Sequence, residues 1–453
     1  MTAKTTKEIA EWVCKTGYDN FEFNANDIQY INGLALGHIG MAIAGSTMDF
    51  GKMVIDYAKE FNAHADAGVI NGGFLCSAEY AALANGAAAH TTRLEDNSWP
   101  ESIYSCGGWP TPFALAEKPK FSGKDVIEAF VIGWEVAGRL GIVAADATNK
   151  GWAIFSSFLS IGCAVMAAKM LKLDVEQTAC AISLAASQAA GIARQTGTGA
   201  HLIEAGFNGR NGICAAKLAK VGYTGSQTIL EGRGGYMDLL ADRPEFDLPL
   251  GDGWRVMEIG MKKYPCCWLG HLGIDTTFDL INEHNIKWDD VESVTHHVNN
   301  TFPLYLKYDD PQTGEDARFS IQHNTVCCFF DKKVFLDSFT DKKAKDPKYV
   351  EARKKVHVTV HPEYPEGHLT WRGPVTIKMK NGKVFEKLRD GIKGLANDKL
   401  NQNEVMQKYT GCVNFAGILT REQAEEIAGM VWDLDKMKDV SELCHMLTFI
   451  GRR

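Results

Sequence analysis

Ile31-Asn-Gly-Leu-Ala-Leu-Gly-His-Ile-Gly-Met-Ala-Ile-Ala-Gly45 reads as the most apolar run of the chain, and its interpretation decides the fold class. A membrane helix needs about 20 apolar residues; this run is shorter, and His38 and the glycines interrupt it. No strand pattern precedes it and it lacks G-x-G-x-x-G, so it reads as packing and not as a phosphate loop. Gly33, Gly37, Gly40, Ala42 and Gly45 would let helix backbones approach closely. The same Ala- and Gly-rich character runs through the first 250 residues and predicts packed helices.

Start signals support this. Ser122-Gly-Lys-Asp125 is a capping box, followed at helical spacing by Val126, Ile127, Phe130, Val131, Trp134 and Ala137. Asp174-Val-Glu-Gln177 opens a helix through Ile182 and Ala186, and Thr420-Arg-Glu-Gln423 caps one carrying Ala424, Ile427, Ala428 and Val431. Near Gly260 the pattern changes. Val291 to Val298 and Lys355 to His361 alternate as strands do. Val375, Ile377 and Met379 lead into Asn381-Gly382, a hairpin turn signal, with a return strand through Phe385 and Leu388. Asp341 to Lys348 reads as a polar connector. The expected architecture is mainly α: a large all-helical domain from 1–258 and 401–453, with a smaller α+β lid domain at 259–400 hinged near Gly260.

Composition bounds the function. The 453 residues are 45% hydrophobic and 23% charged, which are globular proportions. With 48 basic against 56 acidic residues the net charge is −8, so no nucleic-acid partner is expected and any anion must be held by local charge. Twelve cysteines without a C-x-x-C, two pairs of them adjacent, read as reduced thiols of a cytoplasmic protein. The N-terminus lacks an apolar signal core, and no membrane association is expected. His357 and His361 are too far apart along one strand for easy chelation, and no metal site is expected.

Longer stretches carry more. Ala81-Ala-Leu-Ala-Asn-Gly86 to His90, then Glu95-Asp96, then Pro110 to Glu117, resembles a stretch of the MmgE/PrpD family. Leu171-Lys-Leu-Asp174 to Gln188, Glu204-Ala-Gly206 with Arg210-Asn-Gly212, Lys262-Lys-Tyr-Pro-Cys266 with His271, and Ala317-Arg-Phe-Ser-Ile-Gln322 follow in register. The resemblance spans nearly the whole chain. It implies a helical domain with a lid, a homodimer, a cofactor-free site in the cleft between the domains, and proton chemistry beside a carboxylate. The family includes 2-methylcitrate dehydratase, cis-aconitate decarboxylase and iminodisuccinate epimerase.

Departures from the family pattern are concentrated in its polar positions. Where relatives run roughly Ala-Leu-Asp-Phe-Asp-Asp-Thr, this chain has Thr91-Thr-Arg-Leu-Glu-Asp-Asn97, so Arg93 replaces an acid and Asn97 a hydroxyl. Ile103-Tyr104 stands for a histidine-proline, and Gly151-Trp152-Ala153 for Gly-Phe-His. His201 takes the place of a lysine, Glu204 of a histidine, and His323 of a tyrosine, while Lys262 remains. Such chemistry needs cations for carboxylates and a base for the proton. Arginine forks two hydrogen bonds onto a carboxylate, and histidine exchanges a proton near neutrality. The expected catalytic set is His201, Lys262, His323 and Asp96; the expected substrate-binding set is Arg93, Asn97, Trp152 and His271. His90 and the pair Cys266-Cys267 read as structural. The leading expectation is a cofactor-independent lyase of the 2-methylcitrate dehydratase type acting on a small di- or tricarboxylic acid. An epimerase using opposed proton carriers, a decarboxylase and a non-catalytic acid-binding member follow.

Overall fold

The computed structural model describes residues 1–367 and 373–451, so the last two residues of the expected return at 401–453 lie outside the described residues. Two compact units are formed, Met1–Met261 with Asn401–Arg453, and Lys262–Leu400. The first is helical. Its main helices are α1 (Ala25–Ser46), α2 (Asp49–Lys59), α3 (Ala78–Thr91), α4 (Gly123–Val143), α5 (Ile154–Leu171), α6 (Val175–Ala186) and α7 (Gly199–Lys220). The capping boxes read at Ser122, Asp174 and Thr420 are formed, each side chain accepting from the N3 backbone N–H.

The apolar helix that passes for a membrane span by length and composition is α5, not the Ile31–Gly45 run, with a mean hydropathy of 1.7. It is 89% buried within the protein and packs on α4 and α7, as a core helix does.

Small residues set the helix spacing. A Cβ on Gly45 of α1 would fall 1.7 Å from the Ala88 carbonyl oxygen, and one on Gly206 of α7 would fall 2.2 Å from that of Leu83. Gly86 is similarly tight, with Gly206 Cα at 3.1 Å from its would-be Cβ. The backbone of α3 therefore touches both α1 and α7 with no room for a side chain between them.

A short antiparallel sheet closes this unit: β1 (Asn97–Ser98) pairs with β2 (Ile103–Tyr104) on one side and β3 (Ile259–Gly260) on the other. This moves the expected boundary. Residues 259–261 belong to the helical unit, because β3 is hydrogen-bonded into it, and Gly260 is a strand residue there.

The C-terminal return is held electrostatically as well as by packing. Helix Gln402–Ala416 lies on α1, and a Cβ on Gly40 would meet Tyr409 Cα at 3.3 Å. From this helix Lys408 reaches the Asp96 carboxylate, and its Nζ also donates to the Leu94 carbonyl at 3.0 Å. Both side chains are almost fully buried, at 2% and 0% exposure.

The second unit is α+β. A four-stranded sheet is built from β4 (Val291–Val298), β5 (Val356–Val360), β6 (Val375–Met379) and β7 (Val384–Lys387) in the order β7-β6-β4-β5. Only β4 and β5 run parallel. The β6–β7 hairpin turns at Asn381-Gly382, where Gly382 adopts φ 87°. Helices α8 (Trp268–His284), α9 (Ile321–Phe330) and α10 (Pro347–Arg353) accompany the sheet, and Ile274, Val294, Val326, Phe329 and Ile377 lie in its core. The expected connector at Asp341–Lys348 is instead helical. Thr340 caps a short helix at Asp341–Ala344 and Asp346 caps α10, so its polar character was that of helix starts.

Two stability measurements follow from these contacts. Gly206→Ala forces a methyl into the Leu83 backbone and should cost about 1–3 kcal/mol in urea unfolding. Lys408→Met strands a buried carboxylate and should cost about 3–5 kcal/mol. The double variant Asp96→Asn/Lys408→Met should recover much of that loss; a Lys408→Met protein as stable as wild type would remove the pair from the fold's energetics.

Candidate functional site

The helical unit gathers a cluster of titratable side chains around His201. His201 lies in the first turn of α7, which begins at Gly199 behind Thr198. Its ring centroid is 4.9 Å from that of His90 on α3, 5.3 Å from Phe155 on α5 and 6.2 Å from Tyr104 on β2. Phe155 and Tyr104 stack on each other at 4.5 Å. His90 Nδ1 lies 3.2 Å from the Leu202 carbonyl oxygen, so α3 and α7 are tied at the site itself. His201 Nδ1 is 3.2 Å from Glu204 Oε2, one turn along the same helix.

Charge reaches the cluster from the segment after α3. Thr92 ends that helix, and Arg93 turns the chain with a left-handed φ of 58°, a conformation more often left to glycine. Arg93 and Glu95 are both buried, at 4% and 5% exposure. Burial pulls the His201 imidazole below its usual range; the Glu204 hydrogen bond opposes this, Arg93 adds to it, and Glu95 opposes it. The ring is thus held neutral at pH 7, in the form that accepts a proton. Burial likewise pushes the Tyr104 phenol up, with Glu95 adding to the shift, so its hydroxyl stays protonated.

The expected residues separate into groups. Arg93 and His201 are brought together in this cluster, and Asn97 lies beside it, paired across β1–β2 with Tyr104. Trp152 is half-buried ahead of α5, its backbone bridged to Ile192. Asp96, expected as a catalytic group, has its carboxylate paired with Lys408, a partner that no local pattern pointed to. Glu204, Glu95 and Tyr104 were quoted in motifs but given no role. The signal for Glu204 was its three-residue spacing from His201, which on a helix makes neighbours.

Lys262, His271 and His323 belong to the second unit. Lys262 is buried, at 5% exposure. His271, expected as a substrate contact, has a fully buried ring that stacks on Trp268 at 4.7 Å and meets Tyr264 edge-on at 5.2 Å. Burial, with Lys262 adding, holds it well below the usual histidine range. His323 is buried on α9. Its Nε2 is 2.9 Å from the Ser338 carbonyl oxygen and its Nδ1 3.5 Å from Arg353 Nη1, so both ring nitrogens face inward partners. Burial brings its pKa down to about 4. His361 pairs not with His357 but with His297, at 2.8 Å. All twelve cysteines are free thiols. Among the described residues no three His, Cys, Asp or Glu side chains converge as metal ligands.

Comparison with known proteins finds relatives along most of the chain. Cis-aconitate decarboxylase of Mus musculus is 25% identical over 431 residues, covering 91% of this chain and 88% of the mouse protein. The Aspergillus terreus protein of the same name is 25% identical over 475 residues, covering 98% and 95%. That of Homo sapiens is 24% identical over 436 residues, covering 93% and 90%. Residues 7–249 match the MmgE/PrpD N-terminal domain and residues 264–436 the MmgE/PrpD C-terminal domain. With both domains matched in order, the chain belongs to the MmgE/PrpD family.

Proposed function

We propose that this protein is a cofactor-independent lyase acting on a small di- or tricarboxylic acid, with His201 taking the proton next to a carboxylate. The observation that carries the reading is a buried, neutral imidazole beside a buried arginine in one cluster. A neutral imidazole accepts the proton, and the electron pair left on carbon delocalises into the adjacent carboxylate. Arg93 is assigned to a substrate carboxylate, where its charge also meets the charge that develops there. In a dehydration the hydroxyl then leaves as water, taking a proton for which the Tyr104 phenol is a protonated donor.

Decarboxylation is the second reading, favoured by the names of the relatives. There carbon dioxide leaves and the carbanion must receive a proton, so the cluster would act as an acid.

Incubation with di- and tricarboxylic acids in deuterated water should give exchange beside a carboxylate with loss of water. Carbon dioxide release without prior exchange would select the second reading, and silence on every acid would reject both. His201→Ala should lower kcat by about 10²–10⁴ and remove a limb on which activity falls as pH drops through a value below that of free histidine. Arg93→Ala should mainly raise KM.

The same reading includes a homodimer. Met53 and Tyr57 of α2 leave 63% and 43% of their surface exposed on one apolar face that a second copy could bury. Sedimentation at micromolar concentration should give twice the 49.8 kDa chain mass; a monomer would reject it.

A further inference from the structure

An imidazole acts as a directed base only when one nitrogen is fixed as the acceptor, and the ring does not fix this by itself. In this protein the choice is made within one helical turn. Glu204 Oε2 lies 3.2 Å from His201 Nδ1, with the two side chains 12% and 7% exposed. A carboxylate only accepts, so Nδ1 carries the hydrogen and donates it. Nε2 has no hydrogen-bond partner among the described residues. Every other element packed on the ring supplies something different: His90 from α3, Phe155 from α5 and Tyr104 from β2, with Arg93 and Glu95 acting through space from the segment after α3.

We propose that Glu204 is the positioning residue of His201, holding its Nδ1–H tautomer and leaving Nε2 to meet the substrate proton. This rests on His201 being the proton carrier. The two family departures on α7 then form one device: histidine where relatives carry lysine, glutamate where they carry histidine. A lysine has one nitrogen and needs no such partner. An imidazole brought into that position needs its ring turned and its second nitrogen engaged, and residue 204, one turn away, does both. The carboxylate also opposes the depression of the ring's basicity by burial and by Arg93.

The test uses the full chain with ¹⁵N-labelled histidine, His201→Asn serving to assign the resonance. In the wild type, without substrate, His201 should be the Nδ1–H tautomer when neutral. Glu204→Gln keeps an acceptor but loses the charge, so the tautomer should persist while the titration midpoint falls. Glu204→Ala should lose the tautomer preference as well, with circular dichroism confirming that both variants fold. On an acid that is turned over, kcat should drop more for Ala than for Gln with KM little changed. An Nε2–H tautomer in the wild type, or an unmoved midpoint in both variants, would overturn the pairing. The spectra are taken without substrate and judge the pairing whatever the kinetics; a His201→Ala enzyme with intact kcat would overturn the proton-carrier reading instead.

Discussion

The contact on which the site depends is the backbone-to-backbone crossing of α3 and α7 at Gly86 and Gly206. Gly206 has no room for a Cβ and Gly86 only a tight fit against the facing backbone, so the helices cannot slide past each other without a clash. They run antiparallel through this point. His90 follows Gly86 by four residues and His201 precedes Gly206 by five, which sets the two rings face to edge at 4.9 Å. The carbonyl of Leu202 then receives His90 on the same side. The arrangement of acid–base groups is thus a product of helix packing, which is stiffer than loop geometry.

Electrostatics follow from burial in that crossing. A chain of net charge −8 offers an acidic ligand no general attraction, so a cation must stand at the point of contact. In the proposed function Arg93 fills that need from a turn directly after α3, beside a His201 ring that burial pulls below the usual histidine range. Asp96, which would oppose an acid, is neutralised by Lys408. The proposed function thus assigns binding charge and proton exchange to adjacent side chains.

Local signals were legible in the sequence because their partners are three or four residues apart. The capping boxes at Ser122, Asp174 and Thr420 and the Asn381-Gly382 turn are of this kind. Family likeness located Arg93 and His201. Gly197 and Gly199 just ahead of His201 resemble a loop, although Thr198 between them is the helix start. The Asp96–Lys408 pair was not legible at all: 312 residues separate its members. The inward orientation of His323 depends on Ser338 and Arg353, whose approach is equally a matter of tertiary folding.

That separation of 312 residues has a consequence for biosynthesis. A ribosome adding about 5–20 residues per second makes Asp96 roughly 15–60 seconds before Lys408. All of Lys262–Leu400 is translated in the interval, a unit with its own sheet and core. The helical unit thus begins before the second unit and is completed after it, its α1 face uncovered until Gln402–Ala416 leaves the exit tunnel. A chain cut before Gln402 should keep that apolar face exposed and fold poorly for that reason.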